Sequence, residues 1–105
     1  MAKREFEPPK HLSAKSKAVW RAIVPRRARS PERLLLVTTA LEALDRADQA
    51  RQTVEAAGLT VTTKRTGAVH LHPLVRVERE ARTLFLRCWE RLSLAFDFRV
   101  DNQEL

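Results

Sequence analysis

Apolar side chains in this 105-residue chain recur at steps of three or four over two long stretches. In the first, Leu34, Val37, Leu41, Leu44, Ala47, Ala50, Val54 and Ala57 follow one another with no Gly or Pro until Gly58. That spacing lines them up on one face of an α-helix. Ser30-Pro31-Glu32-Arg33 supplies the start: a Ser N-cap, Pro at the first helical position and an acid facing the positive end of the dipole. One helix is therefore predicted from Pro31 to Ala57, roughly 40 Å long at about 1.5 Å per residue. In the second stretch His72-Pro73 opens a helix with Leu74, Val77, Ala81, Leu84, Phe85, Cys88 and Leu92 on one face and Arg76, Arg79, Glu80, Arg87 and Glu90 on others. Glu78 and Arg82 form a favourably oriented i,i+4 pair, and the helix is expected to end near Leu94.

Between the two, Leu59 to Leu71 changes character. Thr60, Val61, Thr62 and Thr63 precede Lys64-Arg65-Thr66-Gly67, and Val69 and Leu71 follow. Leu59 and Val61 facing Val69 and Leu71 would make a short β-hairpin with Gly67 in the turn; an ordered loop fits the same residues. Ahead of the long helices, Ser13 reads as the N-cap of a short helix to about Val24, with Val19, Trp20 and Ile23 as its apolar face. Pro25 is expected to stop it, and Pro25 to Ser30 to form a basic connector too polar to pack. Pro8-Pro9 forbids helix in the preceding arm.

The expected fold class is thus mainly α: a short N-terminal helix plus two long antiparallel helices joined by a loop or short β-hairpin. It divides into a flexible basic arm (1–12), a single helical domain (13–94) and a C-terminal tail (95–105) in which Phe96 and Phe98, two apart, suit an extended docking segment. A rod of about 40 Å outruns a compact domain of this length, whose radius of gyration is about 13 Å. A helix pair cannot cover both sides of its stripes either, so self-association is expected.

Composition narrows the function. Hydrophobic residues make up 44% and charged residues 31%, which excludes wholesale disorder and argues against a membrane protein. The longest uncharged apolar run, Leu34 to Leu41, is far short of the roughly 20 residues that span a bilayer, and the first residues lack a signal-peptide core; a cytoplasmic location is expected. Cys88 is the single cysteine, in apolar surroundings that suggest a small buried hydrophobe rather than a nucleophile. His70 and His72 share one side of a strand, but no Cys and no nearby acid accompanies them, so neither a metal nor another cofactor is expected. His72 falls instead where one ring nitrogen can bond a free backbone group at the helix start. Glu42, Asp45, Asp48 and Glu55, interleaved with Arg46 and Arg51, look like a solvated or intersubunit salt-bridged face. Ser13 and Ser16 lack a base and an oxyanion partner. No catalytic residue emerges, and the chain reads as a non-enzyme.

Charge then becomes the dominant signal. Residues 1–33 hold ten Lys and Arg against three Glu, a surplus of seven that equals the whole chain's net charge of +7. The remaining residues sum to zero. A neutral body with a basic end points to a polyanion. Lys3, Arg4 and Lys10 on the arm, Lys15, Lys17 and Arg21 on the first helix, and Arg26, Arg27, Arg29 and Arg33 around the connector can track phosphates from several directions. Phosphate contacts carry no base information by themselves, and a basic arm can also serve solubility alone. The helix, turn and helix imitate a helix-turn-helix, but a connector running from Pro25 is too long and too basic for the usual one.

Taken together, Pro8-Pro9-Lys10-His11-Leu12-Ser13, Ala18-Val19-Trp20-Arg21-Ala22-Ile23-Val24-Pro25, the Leu-rich helix, Gly58-Leu59 and Gly67 with His72-Pro73-Leu74-Val75 resemble the small subunit of tailed-phage terminase, over about Pro8 to Leu94. The resemblance implies a non-enzymatic component of a genome-packaging motor that binds viral double-stranded DNA, assembles as a homo-oligomeric ring in the host cytoplasm and regulates a large subunit carrying ATPase and nuclease. It assigns Lys15, Lys17, Arg21, Arg26, Arg27 and Arg29 to DNA, and Leu34, Val37, Leu41, Leu44, Leu84, Phe85 and Cys88 to core and subunit contacts. Where the family usually continues with a segment like LGLTPSxR, this chain has Leu94-Ala95-Phe96-Asp97-Phe98, which puts tail contacts with the large subunit in doubt. From a different class, a small helical regulator binding DNA as a dimer fits the same charge pattern.

Overall fold

A computed structural model describes residues 7–93. In chain order it contains helix α1 (Ala14–Arg27), helix α2 (Pro31–Ala57), strands β1 (Thr60–Thr62) and β2 (Val69–Leu71), and helix α3 (Pro73–Leu92). The chain is mainly helical, with one small two-stranded antiparallel sheet among the described residues. The expected docking of Phe96 and Phe98 and most of the basic arm lie outside the described residues. Within the arm, Leu12 is buried in the core, so the packed body begins before Ser13.

α2 follows its sequence signals closely. The Ser30 side chain accepts a hydrogen bond from the Arg33 amide, with Pro31 at the first turn. Gly58 ends the helix at φ +92° and ψ 160°, a backbone region that essentially only glycine occupies. The buried strip is broader than the expected one: Ala40 and Ala43 join Val37, Leu41, Ala47, Ala50 and Val54, while Ala57 is exposed. These small side chains let a neighbouring helix approach along the length of α2.

α1 departs from expectation at Pro25, which does not stop the helix. It lies inside α1, two residues before the end. Proline forfeits its own amide bond, but the ladder resumes beyond it, where the Ala28 amide donates to the Val24 carbonyl at 3.2 Å. Packing holds this turn in place, since Val24 and Ala28 are both wholly buried. The connector is therefore only Ala28, Arg29 and Ser30, and it is packed, because Ala28 is part of the core. That core gathers Leu12, Trp20, Val24, Ala28, Val37, Leu41 and Leu92, with Val19, Ile23, Leu34, Leu36, Leu44 and Trp89 partly buried around it.

α3 starts at the His72 cap, whose Nδ1 accepts the Leu74 amide at 3.1 Å. It ends at Leu92, two residues earlier than expected, because Ser93 adopts the left-handed conformation at φ 51°. Its buried residues are Ala81, Cys88 and Leu92. Leu84 and Leu86 stay exposed, while Phe85 tilts against Trp89 with ring centroids 5.1 Å apart. The ends of α2 and α3 are tied directly: the Arg33 guanidinium donates to the Leu92 carbonyl. Midway along, Arg82 on α3 reaches Asp48 on α2 at 3.5 Å.

The hairpin forms, but its faces differ from the expected ones. Thr60 pairs with Leu71, Val61 with His70 and Thr62 with Val69. Residues directly opposite share a face, so Val69 and Leu71 stand beside Thr62 and Thr60, and Val61 stands beside His70. A one-residue change of register inverts every side chain, and the turn fixes that register. The Thr63 amide donates to the Ala68 carbonyl at 2.8 Å, closing a four-residue loop that Gly67 completes at φ +72°. The molecule is elongated, 58 × 35 × 22 Å with a radius of gyration of 17.8 Å. No described helix is long and apolar enough to cross a membrane.

Candidate nucleic-acid interface

The basic helix α1 is fastened to α2 through three carboxylates spaced three residues apart. Glu42 Oε2 lies 2.7 Å from His11 Nε2. Asp45 accepts three hydrogen bonds: from the Ser13 amide at 2.8 Å, the Ser13 hydroxyl at 2.7 Å and the Ser16 hydroxyl at 2.6 Å. Asp48 pairs with Lys15 and faces Arg82, which also bonds Glu78 at 3.0 Å. A chain of polar contacts therefore links all three helices. Glu42, Asp45 and Asp48, expected on a solvated or intersubunit face, serve contacts within one chain.

The electrostatics follow from this geometry. Burial works to raise the Asp45 pKa, but the hydroxyls of Ser13 and Ser16, the Ser13 amide and the Lys15 charge outweigh it and hold it below the ordinary carboxylate value. For Asp48 the Lys15 hydrogen bond lowers the pKa first, burial opposes, and the charges of Lys15 and Arg82 assist. Ser16 is wholly buried, and Asp45 supplies its hydroxyl's acceptor. No buried side-chain polar atom among the described residues lacks a partner.

With Ser16, Trp20 and Val24 turned inward, the outward side of α1 carries Ala14, Ala18 and Ala22, all exposed. Helical geometry puts Lys17 and Arg21 along one flank of this alanine row and Lys15 beside the other, while Arg26, four residues after Ala22, ends the row. Lys10 and Arg29 are exposed beside the two ends of the helix, and Arg27 is half-buried. Among the expected phosphate-binding cations, Lys15 and Arg33 tie helices together within the chain. Lys15 is paired to Asp48. Arg33 donates through Nε to the Arg27 carbonyl at 2.7 Å and through its second nitrogen to the Leu92 carbonyl, so it closes the C-terminal ends of α1 and α3. Its fork binds backbone oxygens where a phosphate contact was expected.

The residues expected at subunit contacts separate similarly. Val37 and Leu41 are wholly buried in the chain's own core and offer no surface while the fold is intact. Leu34 and Leu44 pack partly against that core, Phe85 is half-buried, and Leu84 is exposed. Cys88 is buried with a free thiol. Exposed apolar surface lies elsewhere, at Leu35, Leu59, Val61, Val69, Leu71 and Leu86. Among the described residues, no group of three His, Cys, Asp or Glu is placed to hold a metal ion.

The fastening by Glu42, Asp45 and Asp48 is what the sequence reading missed. Its signal was present as acids at steps of three on one helix and a His-x-Ser-x-Lys-Ser run at the start of another. Compared with known proteins, the chain matches no family model, no curated protein and no solved structure.

Proposed function

We propose that the protein is a non-enzymatic small terminase subunit of a tailed phage, which grips viral double-stranded DNA through α1 and the turn that follows it. In this reading it assembles as a homo-oligomeric ring in the host cytoplasm and regulates the large packaging subunit. The observation that carries the DNA-binding part is the outward side of α1, an alanine row flanked by Lys17 and Arg21 and ended by Arg26, with Arg29 following. Alanines allow close approach to a phosphate backbone, and the flanking cations supply its counter-charge. The body behind it is read as two long antiparallel helices; the Arg33 to Leu92 and Asp48 to Arg82 contacts support this pairing. Such a rod presents the same basic end once per subunit, so weak contacts add by multivalency. The terminase assignment itself rests on the motif resemblance.

A second reading, a dimeric helical DNA-binding regulator, draws on the connector of Ala28, Arg29 and Ser30. Its length falls within the three to four residues, roughly, of a helix-turn-helix. Measured particle mass separates the two: a ring of many subunits supports the packaging role, and a stable dimer supports the regulator. For DNA binding, the triple variant Arg21→Ala, Arg26→Ala, Arg29→Ala is expected to weaken binding to unrelated duplexes alike and to flatten the log–log salt slope by about 0.9 per lost phosphate contact. Unchanged affinity and slope would remove α1 from the interface.

A further inference from the structure

The β1–β2 hairpin is unfinished as a folding unit. All six strand residues are exposed. Leu59, Val61, Val69 and Leu71 retain 64%, 42%, 64% and 56% of their surface. A lone two-stranded hairpin is marginal in water, and each of its strands presents an outer edge of backbone donors and acceptors to a further strand. Its chemistry is one-sided as well: residues 56–77 carry Lys64, Arg65 and Arg76 and no Asp or Glu.

One segment of the chain has the complementary pattern. Phe96, Phe98 and Val100 alternate with Asp97, Arg99 and Asp101, the period of a strand with one apolar face. Residues 94–105 hold Asp97, Asp101 and Glu104 against Arg99, so they are net acidic. The chain's own hairpin is out of their reach. It adjoins the start of α3, whose 20 residues rise about 30 Å. Phe96 lies three residues beyond Ser93 and Val100 seven, spans of at most about 11 Å and 25 Å.

We propose that residues 96–100 of one copy add as a third strand to the hairpin of another copy, with Phe96, Phe98 and Val100 on the face that carries Val69 and Leu71. Main-chain bonds to an open edge give affinity, and the apolar row gives register. Tail to hairpin is a head-to-tail contact, which propagates from copy to copy and closes into a ring where the rotation allows. The inference rests on the self-association in the proposed function and names the surface that serves it.

The test uses full-length chains at micromolar concentration, with mass read by light scattering. A tail variant (Phe96→Ser, Phe98→Ser) and a hairpin variant (Val69→Ser, Leu71→Ser) are each expected to fall to smaller species than wild type, with helical circular dichroism unchanged. Mixed together, they are expected to form a one-to-one complex, because each retains the half that the other lacks. Wild type running as a monomer overturns both this proposal and the ring. Wild-type assembly that survives in either variant, or variants that fail to complement, overturns strand donation and leaves the ring standing. Should the hairpin variant fold poorly, hydrogen exchange on wild type decides: protection of residues 60–62, 69–71 and 96–100 that rises with concentration supports the contact, and protection independent of concentration refutes it.

Discussion

Asp45→Ala removes the acceptor that fastens α1 to α2. Three hydrogen bonds end on that carboxylate, at 2.8, 2.7 and 2.6 Å. Bonds to a charged group contribute about 1.5–3 kcal/mol each when deleted singly, but these three share one acceptor and do not add. The clearest part is the wholly buried Ser16 hydroxyl, which loses its acceptor at about 1–3 kcal/mol. The Ser13 cap survives, because its hydroxyl still accepts the Ser16 amide at 3.1 Å. The expected loss is about 3 kcal/mol, a large part of the roughly 5–15 kcal/mol that stabilises a small domain. Urea unfolding followed at 222 nm measures it, and amide exchange should show α1 opening more readily than the centre of α2. A double-mutant cycle with Ser16→Ala is expected to show coupling of at least about 1 kcal/mol. A loss under about 0.5 kcal/mol with no coupling to Ser16 would refute the reasoning, because packing around Trp20 and Val24 would then hold α1 unaided.

Two further outcomes follow from the contacts that tie the helices together. Asp45 and Asp48 both have lowered pKa values in the fold, so the unfolded chain takes up protons first on acidification. Their contribution is therefore intact at neutral pH, starts to fall below about pH 4 and disappears as pH drops through the lowered folded values; the acid limb of a urea-midpoint titration should be shallower in Asp45→Ala. Arg33→Lys keeps the charge but cannot reproduce a fork that reaches the Arg27 and Leu92 carbonyls together, so it is expected to lose about 1–2 kcal/mol by urea unfolding. In the charge-removing variant Arg33→Gln the salt slope of DNA binding should stay unchanged, and a flattened slope would return Arg33 to the phosphate contacts.

Much of the local structure was legible in the residues. Ser13, Ser30 and His72 cap helices where their neighbours predicted helix starts, and Gly58 ends α2 at a conformation that needs glycine. These features depend on residues within a turn of one another, so spacing alone encodes them. Pro25 shows the limit. By local rules it ends a helix, and α1 continues because Val24 and Ala28 are buried against residues far along the chain. The candidate interface divides the same way. The concentration of positive charge at the amino end is a property of the sequence, but which cations face outward is not. Lys15 faces Asp48 and Arg33 faces two helix ends only once α1, α2 and α3 are packed.

The sequence by itself determined three helices, their caps and a basic end ahead of a neutral body, because helix periodicity and charge are written residue by residue. The tertiary structure decided the hairpin faces, the burial of Val37 and Leu41 within one chain, and the binding of α1 by Glu42, Asp45 and Asp48. Each of these joins residues distant in sequence, and backbone register and helix packing, rather than spacing, bring them together.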